Sequence, residues 1–222
     1  MGFNIAIDGP AGAGKSTIAK KIAKKLGFIY VDTGAMYRAI GLYLLEKGVN
    51  YEDEQQIGRA IQDIQIAISY RDGEQQVMLN GENVSAKIRT EEVGNMASKT
   101  SKYSVVREKL LELQRSLASS ADVLMDGRDI GTCILPNADL KIFLTADAGV
   151  RAKRRYLELT EKGISCNIED IEKDIIERDR RDTTRAIAPL KKAEDAVEVD
   201  TSHMPIDEVV DTIVSMVVSR RG

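Results

Sequence analysis

The stretch "IAIDGPAGAGKST", residues 5–17, passes from an apolar run into glycines and ends on a lysine and two hydroxyls. Gly9 is followed after four residues by Gly14-Lys15-Ser16, a spacing that suits a phosphate chain. Glycines let the backbone turn tightly enough for several amides to converge on one anion. In this reading Gly9, Pro10, Ala11, Gly12, Ala13 and Gly14 form the cradle. Lys15 carries a mobile positive charge to the β- and γ-phosphates, Ser16 offers its hydroxyl to Mg²⁺, and Thr17 follows in the first helical turn. The N-terminus of that helix adds its own partial positive charge. A visible strand before the loop and a helix after it favour a nucleoside triphosphate site over a chance match in a surface loop.

Three other clusters bear on what receives a phosphate. "VDTGAMYR" (31–38) closes a strand-like segment with Asp32 and Thr33 and leads to Arg38. Ligands of open α/β sheets lie beyond the carboxyl ends of the strands; the bland alternative is a helix cap and a solvated arginine. "MDGRDIGT" (125–132) places Asp126 as an acid that can orient Mg²⁺ or its waters, with Arg128 and Asp129 in the same turn. A glycine-rich turn holding a local ion pair is its alternative. In "ERDRRDTTR" (177–185), Arg178, Asp182 and Arg185 fall on one face if the segment is helical. An exposed, salt-bridged helix would look the same, yet fork-shaped guanidinium groups are also what phosphate oxygens require. Upstream, Arg151, Arg154 and Arg155 share a helix face beside "LTEKGIS", a pattern suited to a closing lid.

An absence sharpens the reading. An alcohol acceptor benefits from a base, but the one histidine, His203 near Pro205, sits in a turn before the last helix, and the acids lie among arginines. A phosphate monoester has a second pKa of about 6 and arrives already ionised. A nucleoside monophosphate therefore suits these residues better than a sugar. No Asn-Lys-x-Asp guanine-reading motif occurs, and the chain is short for a motor core. A small kinase fits best; a kinase for a small metabolite such as shikimate or gluconate, and a nucleotide-dependent switch, remain open at this point.

The bulk properties agree. At 222 residues with a formal net charge of −3, the chain can bury one sizeable core and does not attract nucleic acid or anionic membrane in general. No run of about 18 apolar residues is present, no signal peptide is visible, and Cys133 and Cys166 have neither partner motif nor metal spacing. A cytoplasmic monomer with reduced thiols is expected. Strands are predicted at Asn4 to Asp8, 28–32, 122–126, 140–145 and 196–200, with helices from about Lys15 to Leu26, after Gly34 to about Lys47, and along Ile206, Val209, Val210, Ile213 and Val217. Between them Ile64, Ile66, Ile68 and Tyr70 alternate before Asp72-Gly73, and the next strand ends at Asn80-Gly81. Both dipeptides favour hairpin turns. The expected fold is α/β, a P-loop NTPase-type three-layer arrangement around a five-stranded parallel sheet, with a small inserted antiparallel sheet and a helical lid. Residues 1–222 read as one domain: a core of 1–60 and 91–222, an insert of 61–90, and a lid with flanking helices over about 151–185.

Assembled, the segments "IAIDGPAGAGKST", "VDTGAMYRAI", "LNGENVS…IRTEEVGNMAS", "VREKLLELQR", "DGRDIGT" and "RDRRDTTRAIAPLKKAEDA" resemble the bacterial cytidylate kinase family, in that family's order, from residue 5 to about residue 196. "DGRDIGT" and "RAIAPL" are far more specific than the phosphate loop. The resemblance implies transfer of the γ-phosphoryl of ATP to CMP or dCMP with Mg²⁺, and assigns the inserted sheet to the monophosphate-binding region. It implies that Arg38, Arg128 and Arg185 hold the acceptor phosphate, with Thr33 standing where some relatives have Ser. Ser98, Arg107 and Asp129 would read cytosine, and Arg178 and Asp182 would lie near the sugar. Lys15, Ser16 and Thr17 go with ATP, Asp126 with Ser16 at the metal, and Arg154 would be the lid charge on the transferring phosphate.

Overall fold

The computed structural model describes residues 2–119 and 121–221. In chain order the elements are β1 (Asn4–Asp8), α1 (Lys15–Leu26), β2 (Ile29–Asp32), α2 (Thr33–Glu46), α3 (Glu54–Ile61), β3 (Ile66–Arg71), β4 (Glu74–Leu79), β5 (Glu82–Asn83), α4 (Glu91–Thr100), α5 (Ser104–Ser119), β6 (Val123–Gly127), β7 (Leu140–Thr145), α6 (Ala148–Glu161), α7 (Ile168–Thr184), β8 (Val197–Asp200) and α8 (Ile206–Arg221). A short 3₁₀ turn covers Lys87–Arg89 and a π-helical turn covers Ile130–Ile134.

The chain divides into two compact units, Met1–Tyr30 with Ala121–Gly222, and Val31–Ser120. The five-stranded sheet has the order β2-β6-β1-β7-β8. β1 pairs in parallel with both β6 and β7, and β7 with β8. Strands buried on both faces need apolar residues throughout, and Ile5, Ile7, Leu124, Leu140, Ile142 and Leu144 are all within a percent or so of full burial. Ile18, Ala19, Ile22 and Ala23 of α1 and Val209, Val210, Ile213 and Val217 of α8 join the same core. The helical spacing of those residues is what turns one stripe of each helix inward. Gly27 ends α1 at φ 72°, its amide bonded to the Ala23 carbonyl.

The Val31–Ser120 unit holds the antiparallel sheet β3-β4-β5 together with α2, α3, α4 and α5. Its turns are those the dipeptides require: Asp72 and Gly73 have φ 54° and 78°, Asn80 and Gly81 φ 50° and 83°. Two positive φ values in a two-residue loop match the right-handed strand twist, and the register Arg71 to Glu74 and Leu79 to Glu82 closes both hairpins. The alternation in β3 is weaker than its spelling. Ile64 is buried ahead of the strand, Ile66 and Ile68 are half-buried and Tyr70 is exposed, while Val77 and Leu79 of β4 supply the buried face. Other boundaries move by one or two residues: β2 opens at Ile29, α2 already at Thr33, and β8 at Val197. The structure is that of an α/β P-loop kinase fold with an added antiparallel sheet.

Candidate active site

In the phosphate loop Gly9, Gly12 and Gly14 have φ of 149°, 77° and 85°, conformations closed to most side chains. A Cβ on Gly9 would also stand 1.9 Å from the Leu144 carbonyl oxygen, so the loop lies directly on β7. α1 opens at Lys15 behind Gly14 with no side-chain cap among the described residues and no acid in its first turn. Its first amides and the positive end of its dipole thus face the loop. Lys15 is buried and donates to the Pro10 carbonyl at 2.7 Å. Burial holds its ammonium well below the ordinary lysine range, and the nearby Arg128 pushes the same way. A polyphosphate anion is the ligand that offsets both effects, so the cradle fits ATP.

Asp126, buried at the end of β6, accepts from Ser16 Oγ at 2.9 Å and from Tyr30 Oη at 3.0 Å. A hydroxyl beside a carboxylate is the oxygen donor set a small hard cation takes with phosphate and water. Among the described residues no group of three His, Cys, Asp or Glu could hold a metal unaided. Ser16 and Asp126 therefore fit Mg²⁺ that also relies on a nucleotide.

One residue before the loop's first glycine, Asp8 is buried and accepts from the amides of Ile130 and Gly131, each at 2.8 Å. Those amides open the π-helical turn that follows Arg128 and Asp129. Arg128 Nε donates to Asp182 Oδ2 at 3.0 Å, and Arg185 Nη2 lies 3.5 Å from Asp129 Oδ1. The turn thus pairs across to α7 and its end; a local Arg128–Asp129 pair is not its organising contact. Burial alone would raise the Asp182 carboxyl, but Arg128, Arg178 and Arg185 together hold it below the usual carboxylate range. Arg178 and Asp182 lie on α7, whereas Arg185 stands just beyond it in extended backbone with φ −62° and ψ 141°. The predicted single helix face holds Arg178 and Asp182 but not Arg185, because the helix ends at Thr184 and the chain turns back: Leu190 N bonds the Asp182 carbonyl, and Arg185 Nε bonds that of Ala188.

Within α6, Arg151 and Arg154 are both hydrogen-bonded within the protein. Arg151 is buried and joins the Ala146 and Ala11 carbonyls to the Asp179 carboxylate, at 2.8, 3.0 and 2.6 Å. It braces the phosphate loop from beneath. Arg154 donates to the carbonyl and hydroxyl of Thr201, at 2.5 and 3.2 Å, while Arg155 pairs with Glu158 on its own helix.

The Val31–Ser120 unit carries Thr33, Arg38, Ser98 and Arg107. Asp32 caps α2 by accepting from Ala35 N at 2.9 Å, so the capping alternative is correct for Asp32. Arg38 is half-buried rather than a solvated face residue and donates to the carbonyls of Ile88 and Thr90, both at 3.3 Å. Arg107 is buried, donates to the Ser101 carbonyl at 3.2 Å, and stacks 5.5 Å from the Tyr37 ring centre. Ser98 Oγ is buried with no hydrogen-bond partner among the described residues. An orphan hydroxyl of this kind is costly unless a ligand answers it.

Sequence reasoning missed several supports. Gln75 of β4 makes reciprocal bonds with the Asp32 backbone, accepting from its amide at 2.8 Å and donating to its carbonyl at 3.2 Å, and Arg89 pairs with the Asp32 carboxylate at 3.1 Å. A Cβ on Gly94 would come within 2.7 Å of Arg38 Nη1. The only available signals were the position of Asp8 inside the phosphate-loop motif and a glycine in the middle of a helical pattern.

A sequence model of the cytidylate kinase family matches residues 5–219. The chain belongs to that family. A cytidylate kinase of Lactobacillus johnsonii is 52% identical over 215 residues, covering 97% of this chain and 94% of its own. Those of Shouchella clausii and Caldicellulosiruptor bescii are each 50% identical over 97% and 96% of this chain and 96% and 95% of theirs. Among solved structures, an uncharacterized protein from Eubacterium ventriosum aligns with TM-score 0.53 over 98% of this chain and 99% of its own, and a gluconokinase from Sinorhizobium meliloti with 0.50 over 98% and 92%. Both are 14% identical and show the shared fold alone. Cytidylate kinase membership thus rests on the family model and the sequence relatives, which span nearly the whole chain.

Proposed function

We propose that the chain transfers the γ-phosphoryl of ATP to CMP or dCMP, giving ADP with CDP or dCDP, in pyrimidine nucleotide metabolism. The observation that carries this reading is the buried Arg128–Asp182 and Arg185–Asp129 arrangement, which puts guanidinium groups and a carboxylate in one place. Cytosine offers an N4 amino donor beside N3 and O2 acceptors. Asp129 accepts from N4, and Arg107 and Ser98 donate to the acceptors. Uracil presents an oxygen where cytosine has N4, and that oxygen faces the carboxylate unfavourably. The acceptor phosphate is assigned to Arg38, Arg128 and Arg185 with Thr33, and the sugar to Arg178 and Asp182.

Chemistry here is positioning and charge neutralisation. The acceptor oxygen is ionised near neutral pH, so no residue needs to take a proton from it. Gly9 through Gly14, with Lys15, Ser16 and Thr17, hold the triphosphate, and Lys15 follows charge that develops toward the β–γ bridge. Mg²⁺, held by Ser16 and Asp126, would neutralise charge on the triphosphate oxygens. Arg128 and Arg185 stabilise the transferring group, and Arg154 is the lid charge, exchanging Thr201 for a phosphate oxygen. The lid spans about 151–185, the inserted sheet 61–90 serves the acceptor, and residues 1–222 act as a single catalytic domain. No described helix is long and apolar enough to cross a membrane. We propose a cytoplasmic monomer whose partners are small nucleotides and not nucleic acid.

The test is ADP formation from Mg·ATP with CMP, dCMP, UMP, AMP and shikimate offered separately. Fast turnover with CMP and dCMP, weak turnover with UMP and none with the others is the expected result. ATP binding without stimulation by any monophosphate would overturn the acceptor assignment and favour a nucleotide switch.

A further inference from the structure

We infer that Asp8 is a positioning residue for the acceptor: its carboxylate, through the Ile130 and Gly131 amides, sets the turn that aims Arg128 and Asp129. The inference rests on the roles proposed above for those two side chains.

The turn makes its own backbone bonds, among them Cys133 N to the Asp129 carbonyl at 2.9 Å, but its first two amides are answered by Asp8. Ile130–Ile134 is π-helical, with Leu135 N bonded to the Ile130 carbonyl at 2.7 Å and Ile134 N to that of Asp129 at 3.3 Å. Such turns are rare and one residue wider than an α-turn. Asp129 enters it at φ −144° and ψ 26°. Two successive amides pointing into the interior form an anion-binding concavity of the kind that usually takes a phosphate. Here the anion comes from the chain itself. Both carboxylate oxygens are used, one on each amide, at the short distances of charge-assisted bonds.

The far end of the turn is fixed by a second buried charge. Lys141, on β7, donates to the Pro136 carbonyl at 2.6 Å and to Asp195 at 2.8 Å. A Cβ on Gly131 would meet Lys141 Cδ at 3.1 Å and Asp8 Oδ2 at 3.4 Å, so the turn lies against both. A carboxylate at one end and an ammonium at the other match the donors and acceptors that the turn exposes there. The charged groups that face Asp8 are Asp129 from the turn and Lys15 from α1. Lys15 donates to Pro10, while both Asp8 oxygens accept from the turn. The hydrogen bonds of Asp8 thus run to the turn, although its charge also faces Lys15 and only Gly9 through Gly14 lie between the two.

The deciding experiment is Asp8→Asn in the full chain, assayed well below its melting temperature. A carboxamide keeps one acceptor oxygen and turns an N–H toward the other amide. The expected result is a fall of about 100-fold in kcat/KM for CMP, the scale of a misplaced catalytic group. The CMP-to-UMP preference falls at least tenfold, and ATP affinity by calorimetry stays within about twofold of wild type. Two outcomes overturn the inference: an unchanged CMP-to-UMP ratio, or a loss of ATP affinity as large as the loss of turnover, which would make Asp8 a phosphate-loop residue. Should the variant not fold, the wild type decides through amide exchange. Ile130 and Gly131 are expected among the protected amides, and free exchange at both overturns the clamp. A wild type that ignores CMP altogether would instead sink the functional reading.

Discussion

The two compact units handle their buried charges differently. In the Met1–Tyr30 and Ala121–Gly222 unit, Asp8, Lys15, Asp126, Asp129, Lys141, Arg151 and Asp182 are all buried, and Arg128, Arg151, Lys141 and Arg185 contact carboxylates. In the Val31–Ser120 unit Asp32 and Arg107 are the buried charged residues among those described; Asp32 pairs with the exposed Arg89, Arg107 and the half-buried Arg38 donate to backbone carbonyls, and Arg107 also stacks on Tyr37. A carboxylate partner locks a guanidinium in place, and deleting it strands a buried charge at about 3–5 kcal/mol. A bond to a backbone carbonyl contributes a net of only about 1 kcal/mol. The first arrangement couples chemistry to folding. The second lets acceptor affinity vary with little effect on the fold.

Asp129→Ala tests the first half of that contrast and carries the largest expected effect. It removes the carboxylate 3.5 Å from Arg185, in a site where both side chains are about 6% exposed. A well-placed base-reading contact is worth about 1–3 kcal/mol, so the preference for CMP over UMP in kcat/KM should fall roughly 10- to 100-fold. The melting temperature should fall with it, because Arg185 stays buried. A variant that keeps the wild-type CMP-to-UMP ratio would show that another residue reads the base.

Gly94→Ala addresses the other half and should act on binding alone. The added methyl overlaps Arg38 Nη1 at 2.7 Å, the far end of a flexible side chain, so the guanidinium swings off the Ile88 and Thr90 carbonyls. Alanine in place of glycine inside α4 contributes about 0.5–1 kcal/mol of helix stability, which offsets those weak bonds. KM for CMP is expected to rise about tenfold, with kcat within twofold and a melting temperature within a few degrees of wild type. A collapse in stability would mean that the unit is packed as tightly as its neighbour in sequence, and an unchanged KM would detach Arg38 from the acceptor.

How much was legible in advance follows the same division. The phosphate loop, the individual strand segments of the central sheet and the Asp72-Gly73 and Asn80-Gly81 hairpins could be read because each depends on local backbone geometry written in short spacings, whereas the sheet's pairing joins segments more than a hundred residues apart. Arg185 was placed on a helix face that ends at Thr184, since the break depends on Leu190 and Ala188 folding back, which no periodicity encodes. Asp8 read as part of the phosphate-loop motif, but its partners are 122 and 123 residues away in sequence. Gln75 and Gly94 were invisible for the same reason: one is a polar strand residue, the other a helical glycine, until Asp32 and Arg38 are set beside them.

A stability difference with pH isolates the buried-charge unit without reading turnover. Burial lifts the Asp8 carboxyl from 3.8 to about 6, against the pull of the Gly131 and Ile130 amides; Asp129 adds to the rise and Lys15 opposes it. The folded chain therefore binds this proton more tightly than the unfolded chain does. Its stabilising contribution is complete below about pH 4 and is lost as pH rises through about 6. Two pH units correspond to about 3 kcal/mol. Asp182 has the opposite sign, since its lowered carboxyl adds stability that is lost as pH falls. Subtracting the stability of Asp8→Asn from that of wild type at each pH cancels Asp182 and the other shared groups that do not interact with Asp8, leaving Asp8 with its neighbours Asp129 and Lys15. That difference, from denaturant unfolding between pH 4 and 8, should shrink by about 3 kcal/mol as pH rises. A flat difference would mean that the two amides stabilise the carboxylate as fully as water does. The cost of the clamp would then be absent, and the proton would not distinguish this unit from the other. A shrinking difference would mean that near neutral pH the chain keeps a buried, ionised Asp8 at some expense of stability, in the charge state that accepts from both amides beside Arg128 and Asp129.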